Sequence, residues 1–412
     1  MPLRKKTLSL PTGQPDLDEE PNKEGTEGED DLNQLDAEKI RQTVVAATDW
    51  TTQTIVNQLD LGNIDINPAF QRRDAWTPPR KSRFIESLIL GLPIPQLVLA
   101  EHKKKKGSFI VIDGKQRLLS LRQFSAKDGD KIYDQLRLTG LEQRKDLTGL
   151  SLENMTSDPK FEDDLAAFQN QTVRTVVIRN WPNENVLYLI FLRLNTSSVP
   201  LSPQELRQAL HPGPFLTFVD EKSGDIEGFK KILKITKPDY RMRDAELLVR
   251  FYAFTNFLME YTGNLKEFLD LTCKKLNDQW ASDQISIQRQ VGDLEASFET
   301  TFRIFGERNA FRKWDGNEEE YERRFNRAVF DVMMFYFCKP AIRKRVAGQE
   351  SQIENDFKRL CQTSIDFVRS VETSTKNLVP TVTRLRLWGI VLAKRLKIKF
   401  DIPDIKNKHI TF

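Results

Sequence analysis

The sequence predicts an α+β fold: a small mixed sheet with capped helices over residues 37–215, followed by an all-α half over 216–412. Three observations predict it. Short apolar runs bounded by turn residues occur in the first part, one of them largely β-branched. Proline and capping-box signals start helices between those runs. Beyond about residue 225, apolar residues recur at helical spacing with few β-branched stretches. Residues 1–36 belong to neither half. They carry ten acidic and four basic side chains with almost no aliphatic pattern. Such a segment cannot bury enough apolar surface to offset chain entropy, so it is expected to be disordered.

Taken in order, Thr77-Pro78-Pro79 supplies a helix start and Gly91 a stop, with Phe84, Ile85, Leu88 and Ile89 as the apolar face between them. Gln96–Glu101 and Ser108–Ile112 read as two strands of a hairpin, turned by Lys103–Lys106 and Gly107. The four lysines fit a solvated turn, because like charges repel and stay wet. Asp113-Gly114-Lys115-Gln116-Arg117 opens a helix through Leu118, Leu119 and Leu121. Thr172–Arg179 is a strand, with Val173, Thr175 and Val177 on one face. Asn183–Asn195 is a helix, and Ser202-Pro203-Gln204-Glu205 is a capping box that starts another. Leu247, Phe251, Phe254 and Leu258 form a helical stripe, and similar patterns recur in 289–305, 318–338, 350–372 and 380–398.

Composition narrows the function classes. No apolar run reaches the roughly 18–20 residues that a membrane helix requires. The start, MPLRKKTLSLPTG, has no apolar core of a secretory signal. Cys273, Cys338 and Cys361 lie far apart, which fits a reducing compartment, so a cytoplasmic protein without a membrane partner is expected. The acidic tail conceals a basic remainder: residues 37–412 carry more positive charge than the net +4 of the whole chain. That excess suits a nucleotide or nucleic acid, or is an ordinary basic surface.

The stretch IVIDGKQRLLSL, Ile110–Leu121, carries the clearest chemistry. A strand ends at Asp-Gly and a helix begins at once, so unpaired N–H groups and the positive dipole end face whatever sits there. Gly114 permits close approach, and Lys115 and Arg117 add cations. A plain cap, with Asp113 at the N-cap and Gln116 three residues on, explains the same residues. In Asn67–Trp76, Arg72 and Arg73 fall between a short strand and a helix, where they reach a phosphate or remain surface residues. Asn195, at a helix junction, is a magnesium ligand or a C-cap. The Lys376–Lys399 stretch holds seven basic residues, no acid and Trp388, a pattern that suits a nucleic-acid backbone or a solvated helix face.

FQRRDAW, LGLPIPQLVL, IDGKQRLLSL and RLNTSSVPLSPQEL, in that order, resemble the motifs of the GmrSD restriction-endonuclease N-terminal family. RMRDAELLVRFYAF and FNRAVFDVMMFYF extend the resemblance through the helical half. The family is similar in turn to ParB-type nucleotide-binding domains. Residues 37–215 are therefore expected to be ParB-like, with Gly114–Arg117 where triphosphate oxygens sit and Asn195 where a metal-contacting Asn falls. Three positions depart from the pattern: Lys115 where Gln is usual, Ser197-Ser198 where Gly-Gly is common, and Leu194 where ParB carries an acid.

The resemblance implies a protein that binds a nucleoside triphosphate with Mg²⁺ and hydrolyses it, in a DNA-directed restriction or phage-defence system. Asp113, Gln116 and Arg117 are the expected catalytic residues. Arg72, Arg73, Gly114, Lys115 and Arg117 are expected to hold the nucleotide, and Asp113 and Asn195 the metal. DNA is the expected partner, with a nuclease encoded separately. His102, His211 and His409 are isolated, so the histidine-based HNH nuclease domain often fused to this module is not expected. Two alternatives stand beside this reading: a Mg²⁺-dependent DNA nuclease, and a non-enzymatic DNA-binding or adaptor protein.

Overall fold

The structure, a computed structural model, describes residues 27, 31–32, 37–66, 73–194, 201–373 and 375–412. Four strands form its mixed sheet: β1 (Val44–Thr51), β2 (Leu97–Glu101), β3 (Phe109–Asp113) and β4 (Thr172–Arg179), in the order β1-β4-β2-β3. β2 and β3 are the expected antiparallel hairpin, β2 runs parallel to β4, and β1 pairs antiparallel with β4.

The pleat divides the core. Leu97, Leu99, Val111, Val173 and Val177 face one side and join a large apolar cluster. Val98, Ala100, Ile110, Ile112 and Ile178 face the other and join a smaller one. Helices α1 (Thr52–Asp60), α2 (Pro78–Ile89) and α3 (Lys115–Ser125) pack on the first side. Helix α4 (Glu184–Leu194) covers the second with Leu187, Tyr188 and Phe191, and α5 (Pro203–Leu210) adds Leu206.

The helical half is built on α6 (Pro214–Ser223), α7 (Arg243–Phe257), α8 (Leu265–Asp278), α9 (Trp280–Asn309), α10 (Arg327–Phe337), α11 (Glu350–Thr363) and α12 (Leu378–Leu396), with shorter helices between them. The pattern in 318–338 becomes helix only from Arg327, because Trp314–Asp315 and Glu320–Tyr321 pair as a small hairpin before it. The larger cluster is continuous from Ile55 to Ile410, so packing carries on across residue 215. Two buried arginines tie the helical half together and to the sheet half. Arg250 Nη2 lies 2.5 Å from Asp331 Oδ2, joining α7 to α10. Arg73 reaches across to Asp220 and Asp244.

Three residues of the acidic segment lie against the fold. Glu27 and Asp31 are buried and Leu32 is half-buried against the smaller cluster. Charge pairing holds these residues to the fold, which a reading based on apolar burial does not register. The remainder of 1–36 lies outside the described residues.

Candidate phosphate-binding site

β3 passes into α3 through a single left-handed residue, Gly114, with φ 100° and ψ 14°. A Cβ on Gly114 would stand 2.3 Å from Leu97 Cδ2 and 3.3 Å from Arg117 Nε, so only glycine fits beneath the guanidinium. Gly114 is itself the N-cap, and no side chain caps the helix. The plain-cap reading of Asp113 therefore fails. Its carboxylate instead accepts from Arg117 Nη2 at 3.0 Å, one helical turn along. Arg117 is 8% exposed, and its buried Nε has no hydrogen-bond partner. The first turn of α3 thus brings together an uncapped helix end, a left-handed glycine and a buried guanidinium whose Nε has no partner.

Residues from the other motifs converge on this turn. Gln116 Oε1 accepts from the Trp76 backbone N–H at 3.3 Å, which fastens the segment before α2 to α3. Lys81 bridges Asp74 and Gln123 beside it. The buried Lys115 ammonium pairs with Glu205 of α5. Glu205 is the N3 residue of the capping box, and its Oε2 also accepts from Ser202 N–H at 2.7 Å. The capping box is visible in sequence, whereas the second task of Glu205 is not. Lys115 sits at the expected place with its charge already matched by a carboxylate.

Arg73 does not join the site. Its five N–H groups donate to Asp220 Oδ1 and O, Asp239 O, Asp244 Oδ1 and Ser223 Oγ. No donor is left for a phosphate, and the side chain is wholly buried among residues of the helical half. Arg72, Asn195 and Ser197-Ser198 lie outside the described residues.

Of the two expected magnesium ligands only Asp113 lies among the described residues. Asp113 is engaged by Arg117, Glu205 by Lys115, and the described residues hold no group of three His, Cys, Asp or Glu side chains fit for a metal. A groove of about 650 Å³ lies towards the other end of β3, lined by His102, Lys103, Trp181, Asn183 and Pro212 among others, and contains none of the expected site residues.

Residues 53–212 match the family described as GmrSD restriction endonuclease, N-terminal domain. This stretch of the chain is similar to a GmrSD N-terminal domain. No curated protein and no solved structure matches the chain. The matched stretch holds all the expected site residues. The motifs Arg241–Phe254 and Phe325–Phe337 lie beyond it and supply the Asp244 and Arg250–Asp331 contacts. Among the described residues no helix is long and apolar enough to cross a membrane.

Proposed function

We propose that the chain binds and hydrolyses a nucleoside triphosphate as one component of a DNA-directed, restriction-type defence system. The observation that carries the reading is Arg117, a buried guanidinium whose Nε lacks a partner, beside the glycine where an uncapped helix begins. A phosphate oxygen supplies the missing acceptor. It also accepts from the first-turn N–H groups of α3 and lies at the positive end of the helix dipole. Arg117 shares its charge between Asp113 and the phosphate, while Gln116 and Glu205 hold the surrounding segments in place.

The restriction-type context comes from the family's description. Hydrolysis and the choice of a nucleotide rest on the similarity to ParB-type domains. The positive excess of residues 37–412 favours DNA as partner, with strand cutting left to a separately encoded nuclease. No step is assigned to magnesium, because the described carboxylates at the turn are already paired.

A thermal-shift panel of the four ribonucleoside triphosphates, each with and without Mg²⁺, tests the reading. A ligand at about 100 times its Kd stabilises the fold by about 2.7 kcal/mol. Phosphate release without DNA cleavage is the expected accompaniment. No shift with any nucleotide defeats the proposal, and plasmid nicking without nucleotide installs the nuclease reading in its place.

A further inference from the structure

The acidic segment before the sheet occupies a built site. Arg207, on α5, donates from Nη2 to both carboxylate oxygens of Glu27 at 2.6 Å, and each of the two side chains is 1% exposed. Nε of Arg207 binds Asp270 at 2.7 Å, and Nη1 binds Gln204 at 2.7 Å. Four residues after Glu27, the Asp31 carboxylate meets Lys376 Nζ at 2.6 Å, and its backbone carbonyl accepts from Asn264 Nδ2 at 2.7 Å. Leu32 packs on the smaller apolar cluster, whose member Tyr188 is buried with its hydroxyl unpartnered.

These contacts have the character of a ligand in a receptor. A buried bidentate arginine–carboxylate pair requires good geometry on both sides, and here the cations come from two separate parts of the fold. Asp270 is already shared by Arg207 and Lys266. It therefore cannot replace Glu27 as well, and without the segment Arg207 keeps Asp270 but loses its other carboxylate. The two acidic residues are spaced to meet Arg207 and Lys376 in turn.

We propose that the groove between α5, α8 and the Lys376 turn is a docking site for an acidic peptide, occupied by this chain's own Glu27, Asp31 and Leu32. The site also touches the phosphate turn: Arg207 grips the segment, and Glu205, two residues earlier on α5, grips Lys115 of α3. Occupancy of the groove thereby steadies the N-terminus of α5 and the position of Lys115. This last step rests on the phosphate-site reading, whereas the docking does not.

The test uses the full chain and its E27Q/D31N variant, with a labelled peptide of residues 20–36 read by fluorescence anisotropy. The variant is expected to bind the wild-type peptide at least tenfold more tightly than the wild-type chain does, because its own segment no longer competes. A peptide carrying both substitutions should not bind. In the wild-type chain, amide exchange across Glu27–Leu32 should be slowed at least tenfold relative to the free peptide. That measurement stands even where the variant folds poorly. Unprotected amides in the wild-type chain, or equal peptide binding by both chains, overturns the docking. Preferential capture of single-stranded DNA by the variant also overturns it and makes the groove a nucleic-acid site. Peptide docking without any change in nucleotide affinity removes only the link to the phosphate turn.

Discussion

Arg73 Nη1 lies 2.6 Å from Asp244 Oδ1, which joins the turn before α2 to the first turn of α7 across 171 residues of chain. With Asp220 at 2.5 Å on the other edge, the guanidinium is clamped between two buried carboxylates. Burial raises the Asp244 pKa, and the adjacent Arg73 charge and hydrogen bond offset only part of that rise. The arginine ties the sheet half of the molecule to the helical half.

Arg73→Ala leaves those two carboxylates without their cation in a dry interior. Breaking a buried pair from one side costs about 3–5 kcal/mol, so chemical denaturation should report a loss of that size. Nucleotide binding by whatever protein remains folded should be unchanged. Wild-type stability combined with lost nucleotide binding would return Arg73 to the phosphate site.

Local signals made much of this fold legible. The β2–β3 hairpin was readable because two apolar runs flank a lysine turn, and both hydrogen bonds of the Ser202–Glu205 capping box form. β4 keeps the alternation that its sequence displays, whereas its partner β1 carries no such signal. β1 is an edge strand with Val44 and Val45 exposed, so it has no buried face to leave a period-2 pattern. The candidate site was half legible. Asp-Gly before a helix marks the turn, but the positive φ of Gly114 moves the cap from Asp113 to the glycine and sends Asp113 to Arg117. The destinations of Arg73 and Glu27 lie 147 and 180 residues away, at distances where sequence spacing carries no information. A segment held by ion pairs also leaves no apolar signature to read.

Asp356 links α11 to α12 and should make the helical half sensitive to acid. Arg395 donates to its carboxylate at 2.5 and 3.0 Å, and Arg359 at 2.7 Å. The hydrogen bond from Arg395 is the main cause that holds the Asp356 pKa below its ordinary 3.8, against a smaller opposing effect of burial. A depressed carboxylate pKa contributes stability that is present above the unfolded value and is lost as pH falls through the folded one. Asp356→Asn should therefore lower the melting temperature at pH 7 and flatten its decline below about pH 4. Parallel acid profiles for the two proteins would remove this role.

Glu205→Gln should separate stability from anion affinity. The substitution retains an acceptor for Ser202 N–H but removes the negative charge beside the buried Lys115. Stability should fall by roughly 1–3 kcal/mol, the range for weakening a hydrogen bond to a charged group. Triphosphate affinity should rise, because Lys115 then has one competing carboxylate fewer. Calorimetric titration beside a melting curve reads both changes. A fall in both quantities would make Glu205 a structural cap alone.

The phosphate turn itself is tested by Arg117→Ala and Asp113→Ala, compared side by side. Arg117 holds the unpartnered Nε, so its loss removes the charge-assisted contact on which the site depends. Losing a hydrogen bond to a charged group costs about 1.5–3 kcal/mol, or roughly tenfold to a hundredfold in nucleotide affinity. Stability without nucleotide should change less, because the Arg117–Asp113 pair is one turn long and the Asp113 side chain is 34% exposed. Asp113→Ala acts in the opposite direction. Asp113 does not cap the helix, so its removal leaves α3 intact and frees Nη2 of Arg117 for the ligand. Nucleotide binding should then hold steady or strengthen, with a melting temperature close to wild type. Equal loss of binding in both variants, accompanied by loss of Mg²⁺-dependent hydrolysis in Asp113→Ala, would instead make Asp113 a metal ligand. Undiminished binding in Arg117→Ala would move the phosphate away from this turn altogether.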